Sequence, residues 1–76
     1  MELKILGAGC ANCMKLEQNT KTALKNLGLD ISVEKVQGFR EIAKYGVMRT
    51  PALVVDGQVK VMGKVATAEE IQKLLK

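Results

Sequence analysis

From Ala11 to Leu27 the residues Cys13, Leu16, Thr20, Leu24 and Leu27 recur at intervals of three or four. That spacing gathers them on one face of an α-helix. Lys15, Glu17, Gln18, Lys21, Lys25 and Asn26 fall on the other faces, where Glu17 stands four residues before Lys21 and can add a weak ion pair. Gly28 follows, suited to the positive φ at a helix C-terminus. A helix this long dominates a chain of 76 residues. A chain of that size buries only about 60% of the surface its unfolded form exposes, so the core should be thin and continuous.

On either side of this helix the period is that of strands. Glu2 to Leu6 reads as a first strand ending at Gly7, and Leu29, Ile31, Val33 and Val36 mark a second, with Asp30, Ser32 and Glu34 on its alternate side. A shorter amphipathic helix carries Phe39, Ile42 and Ala43 and stops at Tyr45-Gly46. Ala52 to Val55 reads as a buried strand, and Asp56-Gly57 is a strong two-residue hairpin signal. In the returning strand Gln58 and Lys60 should face water while Val59 and Val61 face inward. Gly63 ends it. Thr67 and Glu70 form a capping box for a last helix, with Ala66 and Ile71 as the flanking apolar pair and Ile71, Leu74 and Leu75 on its buried side. The order is βαβαββα, an α/β fold with a central four-stranded mixed sheet and three helices. The early helices imply parallel crossovers and the hairpin adds an antiparallel pair. With no repeat, low-complexity tract or linker, residues 1–76 are expected to form a single domain.

Composition excludes several classes. The apolar content of 47% argues against disorder, and the longest apolar run, Pro51 to Val55, is far too short to span a bilayer. No secretory signal is apparent, which makes the cytoplasm the expected location. The net charge of +4 comes from lysines scattered along the chain and interrupted by Glu17, Glu34, Glu41 and Glu69, with Tyr45 and Phe39 as the only aromatics. Nucleic-acid binding calls for a concentrated basic stripe, often with stacking platforms. A solvated surface explains the charge instead, and neither nucleic acid nor membrane is expected as a partner. No apolar heptad requires an oligomer, so a monomer is expected.

The two cysteines, Cys10 and Cys13, lie in Gly7-Ala8-Gly9-Cys10-Ala11-Asn12-Cys13, where the first strand gives way to the long helix. Two cysteines are too few for a disulfide scaffold, and so short a loop gains little from closure, which favours reactivity. Unpaired N–H groups and the helix dipole favour a thiolate at a helix start. The same spacing could hold a soft metal ion such as copper(I) or zinc, with other ligands from a partner or a second copy.

Cys10-Ala11-Asn12-Cys13 after a strand, together with Thr50-Pro51 before the hairpin, resembles the thioredoxin and glutaredoxin superfamily, in particular its small archaeal and bacterial redox-active disulfide proteins. The resemblance spans nearly the whole chain and implies a minimal thioredoxin-like fold. It implies a thiol–disulfide oxidoreductase or electron carrier that reduces protein disulfides through a reversible Cys10–Cys13 disulfide and without another cofactor. Cys10 would be the attacking thiol and Cys13 the resolving one. Thr50 and a cis Pro51 would meet an extended substrate segment, and Gly63 would let the backbone approach Pro51. Gly9, Ala11 and Asn12 would support the turn. A thiol reductase upstream and a disulfide-bearing protein downstream are the implied partners.

The sequence departs from the better-known members. It has no tryptophan before Cys10, no proline before Cys13 and no carboxylate among the apolar positions of the first strand to accept a proton. Met14 reads as a partly buried helical residue or as part of a docking rim, and Lys15 as exposed or turned back toward Cys10. The glycine-rich cysteine loop also superficially resembles heavy-metal-associated domains. Those are expected to end in a strand, whereas Thr67 to Leu75 reads as a helix.

Overall fold

The computed structural model describes residues 1–7 and 11–75. The expectations at Ala8, Gly9, Cys10 and Lys76 lie outside the described residues. The elements are β1 (Leu3–Leu6), α1 (Ala11–Leu27), β2 (Val33–Val36), α2 (Phe39–Lys44), β3 (Ala52–Val55), β4 (Gln58–Met62) and α3 (Ala68–Leu75). The βαβαββα order and the four-stranded mixed sheet are those expected. The sheet runs β2-β1-β3-β4, with β1 parallel to β2 and antiparallel to β3, and β3 antiparallel to β4.

Only one crossover is therefore parallel. β3 runs against β1, because Leu6 pairs with Val36 on one side and with Ala52 on the other. β2 thus ends, and β3 begins, at the same end of the sheet. A helix of six residues, only about 9 Å long, suffices to join them without a return along the sheet.

Alternation along the two central strands divides the core. Leu3, Ile5, Leu53 and Val55 project to one face, where they meet Leu16, Ala23 and Leu24 of α1 and Ile71 and Leu75 of α3. Leu6, Ala52 and Val54 project to the other and meet Ile42 of α2 and Val47. Every residue of β3 is buried, as a strand covered on both faces requires.

Several local expectations need correction. β2 is four residues long, and Leu29 and Ile31 precede it as partly buried residues packed on the larger cluster. The Gly28 turn accounts for this: Gly28 has φ +70°, and Leu29 N–H donates to Leu24 C=O at 2.9 Å. The chain therefore leaves α1 in a cap before it can enter the sheet. Val59 and Val61 do not share a face. The register shifts between Leu53 and Val54, so that Leu53 opposes Val61 while Val54 opposes Val59. Such a bulge resets the two-residue alternation, and Val59 packs with the α2-side cluster and Val61 with the other. Phe39 and Ala43 are exposed, leaving Ile42 as the one buried residue of α2. Leu74 is also exposed, because α3 turns only Ile71 and Leu75 inward.

The hairpin and the last helix follow local chemistry closely. Asp56 and Gly57 have φ of 50° and 81°, the positive values that a tight two-residue turn needs at both positions. At α3, Glu70 N–H donates to Thr67 Oγ1 at 3.2 Å and Thr67 N–H donates to Glu70 Oε1 at 3.4 Å, while Ala66 and Ile71 are buried together. The Thr67 N–H, then the Lys64 ammonium 3.3 Å away, hold the Glu70 carboxyl below the usual carboxylate range. Thr67→Ala is expected to lower unfolding free energy by about 1 kcal/mol in denaturant titrations at neutral pH. A carboxyl with a lowered folded pKa stabilises above its unfolded pKa and loses that contribution as pH falls through the folded value. The difference between wild type and Glu70→Ala should accordingly shrink on acidification below the normal carboxylate range.

Candidate functional site

One end of the sheet gathers the residues of interest. Gly7 follows Leu6, Gln37 follows Val36, Pro51 precedes Ala52 and Gly63 follows Met62, and the pairings Leu6 with Val36, Leu6 with Ala52 and Ala52 with Met62 set these positions side by side. Gly7 N–H donates to Val36 C=O at 3.0 Å, and Gly63 N–H donates to Pro51 C=O at 2.9 Å. The Thr50–Pro51 peptide is cis, Pro51 is buried and Thr50 is exposed. Gly63, at φ +73°, also receives the side chain of Arg49, whose Cβ lies 3.1 Å from where a Gly63 Cβ would stand.

The first turn of α1 descends onto this end. Ala11 and Asn12 are exposed, whereas Cys13 is 6% exposed. Cys13 belongs to the same helical stripe as Leu16 and Thr20, both fully buried, and Thr20 Oγ1 satisfies itself on Leu16 C=O at 2.7 Å. The fit beneath Cys13 is very close. A Cβ built on Gly7 would overlap Cys13 Sγ and would stand 3.2 Å from Cys13 Cβ and 3.8 Å from Thr50 Cβ. Cys13, Gly7 and Thr50 are thus immediate neighbours although far apart in sequence. The predicted contact of Pro51 with Cys10 lies outside the described residues, as do Cys10 and Gly9 themselves.

Two concavities flank this point. One is lined by Ile5, Gly7, Cys13, Met14, Glu17, Lys35 and Gln37. The other, with a volume of about 160 Å³, is an apolar groove between α2 and Thr50, lined by Phe39, Ile42, Ala43, Val47, Met48, Gln37 and Thr50. Phe39 is 89% exposed and Met48 92%. Met14 is exposed as well, so it belongs to the surface around Cys13 and not to the core. Lys15 is exposed.

The chain thus joins a four-stranded mixed sheet, a buried cysteine at a helix start and an adjoining cis-prolyl loop. A family model described as a thioredoxin domain matches residues 1–76. The chain belongs to the thioredoxin family. It is 47% identical over 75 residues to a protein named thioredoxin from Methanothermobacter thermautotrophicus, covering 99% of this chain and 97% of that one. It is 36% identical over 74 residues to a thioredoxin from Methanocaldococcus jannaschii, covering 97% of this chain and 85% of that one. Membership of the thioredoxin family supports a redox role of the oxidoreductase kind. Among the described residues no group of three or more His, Cys, Asp or Glu side chains converges on a point that could hold a metal ion, and no helix is long and apolar enough to cross a membrane.

The structure also brings Gly7, Glu17 and Lys35 beside Cys13, although none of the three stands out in the sequence. The sequence pattern makes Gly7 a strand end, and its lack of a side chain is what lets Cys13 sit where it does; glycine in a strand often marks such a close approach. The helical spacing puts Glu17 on a wet face of α1. Its pair with Lys21 is present at 3.7 Å, but its side chain is only 14% exposed and its other oxygen lies 3.2 Å from Lys35. The available signal was its spacing of four residues from Cys13. Lys35 carried no such signal, because only the pairing of β2 with β1 brings it beside Ile5. Gly7→Ala should destabilise the fold by about 1–3 kcal/mol, as overpacking of a filled core does, with a lowered denaturation midpoint by circular dichroism as the readout.

Proposed function

We propose that this protein is a thiol–disulfide oxidoreductase, a small thioredoxin-like electron carrier that reduces disulfides in partner proteins through Cys10 and Cys13. The observation that supports this best is the burial of Cys13 at the start of α1 against Gly7 and Thr50, in a chain whose similar relatives are named thioredoxins. Cys10 attacks the partner disulfide as a thiolate. That bond breaks, the partner's first sulfur leaves, and a Cys10–partner mixed disulfide forms. Cys13 then loses its proton and attacks Cys10 Sγ. The partner's second sulfur departs, the Cys10–Cys13 disulfide closes, and two electrons have passed to the partner.

The division of labour follows from access. Cys13 is too buried to meet a bulky disulfide, whereas its intended target is a sulfur held three positions away in the sequence. Thr50 and Pro51 would align an extended stretch of the partner beside the thiols, with Gly63 backing Pro51, and Gly9, Ala11 and Asn12 would shape the turn. The groove at Phe39, Met48 and Thr50 offers the partner apolar surface. The reading needs no cofactor beyond the reversible disulfide. It has one domain acting as a monomer, working in the cytoplasm between a thiol reductase and a disulfide-bearing protein.

Turnover of a small-molecule disulfide by wild type, Cys10→Ser and Cys13→Ser tests it. Both variants should lose two-thiol turnover, and Cys13→Ser should accumulate a longer-lived mixed disulfide detectable by mass spectrometry. Absence of exchange by the metal-free wild type, together with stoichiometric binding of copper(I) or zinc, would replace this reading with soft-metal handling.

A further inference from the structure

Arg49 stands immediately before Thr50 and Pro51, and its side chain lies along Gly63. A Cβ on Gly63 would stand 3.1 Å from Arg49 Cβ, 3.2 Å from Cδ and 3.7 Å from Cγ. The contact therefore runs over the aliphatic stem, and a residue without a side chain leaves it space. Gly63 also donates its N–H to Pro51 C=O at 2.9 Å, so the surface that carries the stem is tied to the cis-prolyl loop. Beyond the stem the guanidinium is open. Among the described residues neither a hydrogen bond nor an ion pair engages Arg49, and the carboxylates that do pair, Glu17, Glu34, Glu41 and Glu70, all pair with lysines.

We propose that Arg49 is a specificity-determining residue that recognises a carboxylate side chain, Asp or Glu, in the partner segment lying along Thr50 and Pro51. This deepens the dithiol reading and rests on it for the nature of the partner. The sheet order sets Cys13 against Gly7 at the end of β1 and Arg49 against Gly63 at the end of β4, with β3 and Pro51 between them. Two strand spacings are about 10 Å, a distance that an extended segment covers in about three residues. A partner whose cysteine has come to the thiols thus carries the residue about three positions away over Gly63. There a carboxylate meets the guanidinium through two parallel N–H···O bonds. The seated stem has fewer conformations to lose than a free surface side chain, which removes part of the entropic cost that makes exposed ion pairs weak. A lysine at the same partner position brings like charges together, so Arg49 also selects against basic segments.

Peptides with a single cysteine capped as a pyridyl disulfide test this, each carrying Glu, Gln or Lys about three residues from the cysteine. Attack of the Cys10 thiolate on the peptide sulfur forms the mixed disulfide and releases thiopyridone with the electron pair of the broken bond; its absorbance gives the second-order rate constant. Wild type should react about fivefold faster with the Glu peptide than with the Gln peptide, and slowest with the Lys peptide. Arg49→Met should bring the Glu and Gln rates together, and Arg49→Lys should keep part of the difference. Lys25→Met removes an equal charge in the last turn of α1 and should leave the wild-type preference in place. A preference retained by Arg49→Met, or lost equally in Lys25→Met as an effect of net charge would be, overturns the proposal. The same peptides with serine in place of cysteine report on recognition without exchange: in NMR titrations the Glu peptide should shift the Arg49 side-chain N–H and the Gln peptide should not. An unmoved Arg49 signal overturns recognition. Absence of thiopyridone release with that shift present overturns the dithiol reading and leaves recognition standing.

Discussion

There is no room for a β-carbon between the end of β1 and the sulfur of Cys13. That contact seats the first turn of α1 directly on the end of the sheet, and much else follows from it. β1 is the central parallel and antiparallel partner at once, so whatever rests on its last residue is also beside the end of β2 and the beginning of β3. The loop carrying Thr50 and Pro51 and the strand break at Gly63 arrive at the same place through ordinary ladder bonds. A side chain at Gly7 would lift α1 away from all of them.

The two faces of the sheet are built to different strengths. α1 and α3 close one face over a large cluster that runs from Leu3 to Leu75, and Asn19 Nδ2 ties α1 to Ala66 C=O at 2.9 Å. On the other face α2 buries a single residue, Ile42, and leaves Phe39 beside the groove that reaches Thr50. Few buried apolar contacts make a segment easier to open locally. The thick layer thus holds Cys13 in place, while the thin one borders the apolar groove that reaches Thr50. Lys4, the lone charge of β1, is accommodated on the thin side by donating to the Tyr45 hydroxyl at 3.2 Å. That bond, ahead of the nearby Glu34, raises its pKa.

Legibility in the sequence depended on how local the deciding interaction was. The long stripe from Cys13 to Leu24, the Gly28 cap, the Asp56-Gly57 turn and the Thr67–Glu70 box each involve residues a few positions apart, and each lies where its pattern indicated. Leu29 and Ile31 alternated like a strand but face the core from a cap segment, because the backbone bond at Leu29 is taken by α1. Val59 and Val61 alternated correctly, yet one extra residue in β4 sent them to opposite faces. Phe39 had the right spacing for a buried face, and a helix of six residues was too short to bring it under cover.

By itself the sequence determined the element order, the caps and turns, and the placing of Cys13 on a buried helical stripe next to a glycine-rich strand end. These rest on periodicity and on the backbone freedom of single residues, which act over a few positions. Only the tertiary structure decided that Gly7 touches Cys13, that Thr50 lies beside them, and that Lys35 meets Glu17 at the same cavity. Those depend on which strands pair and in what register, and register is set by the fit of all the core side chains at once.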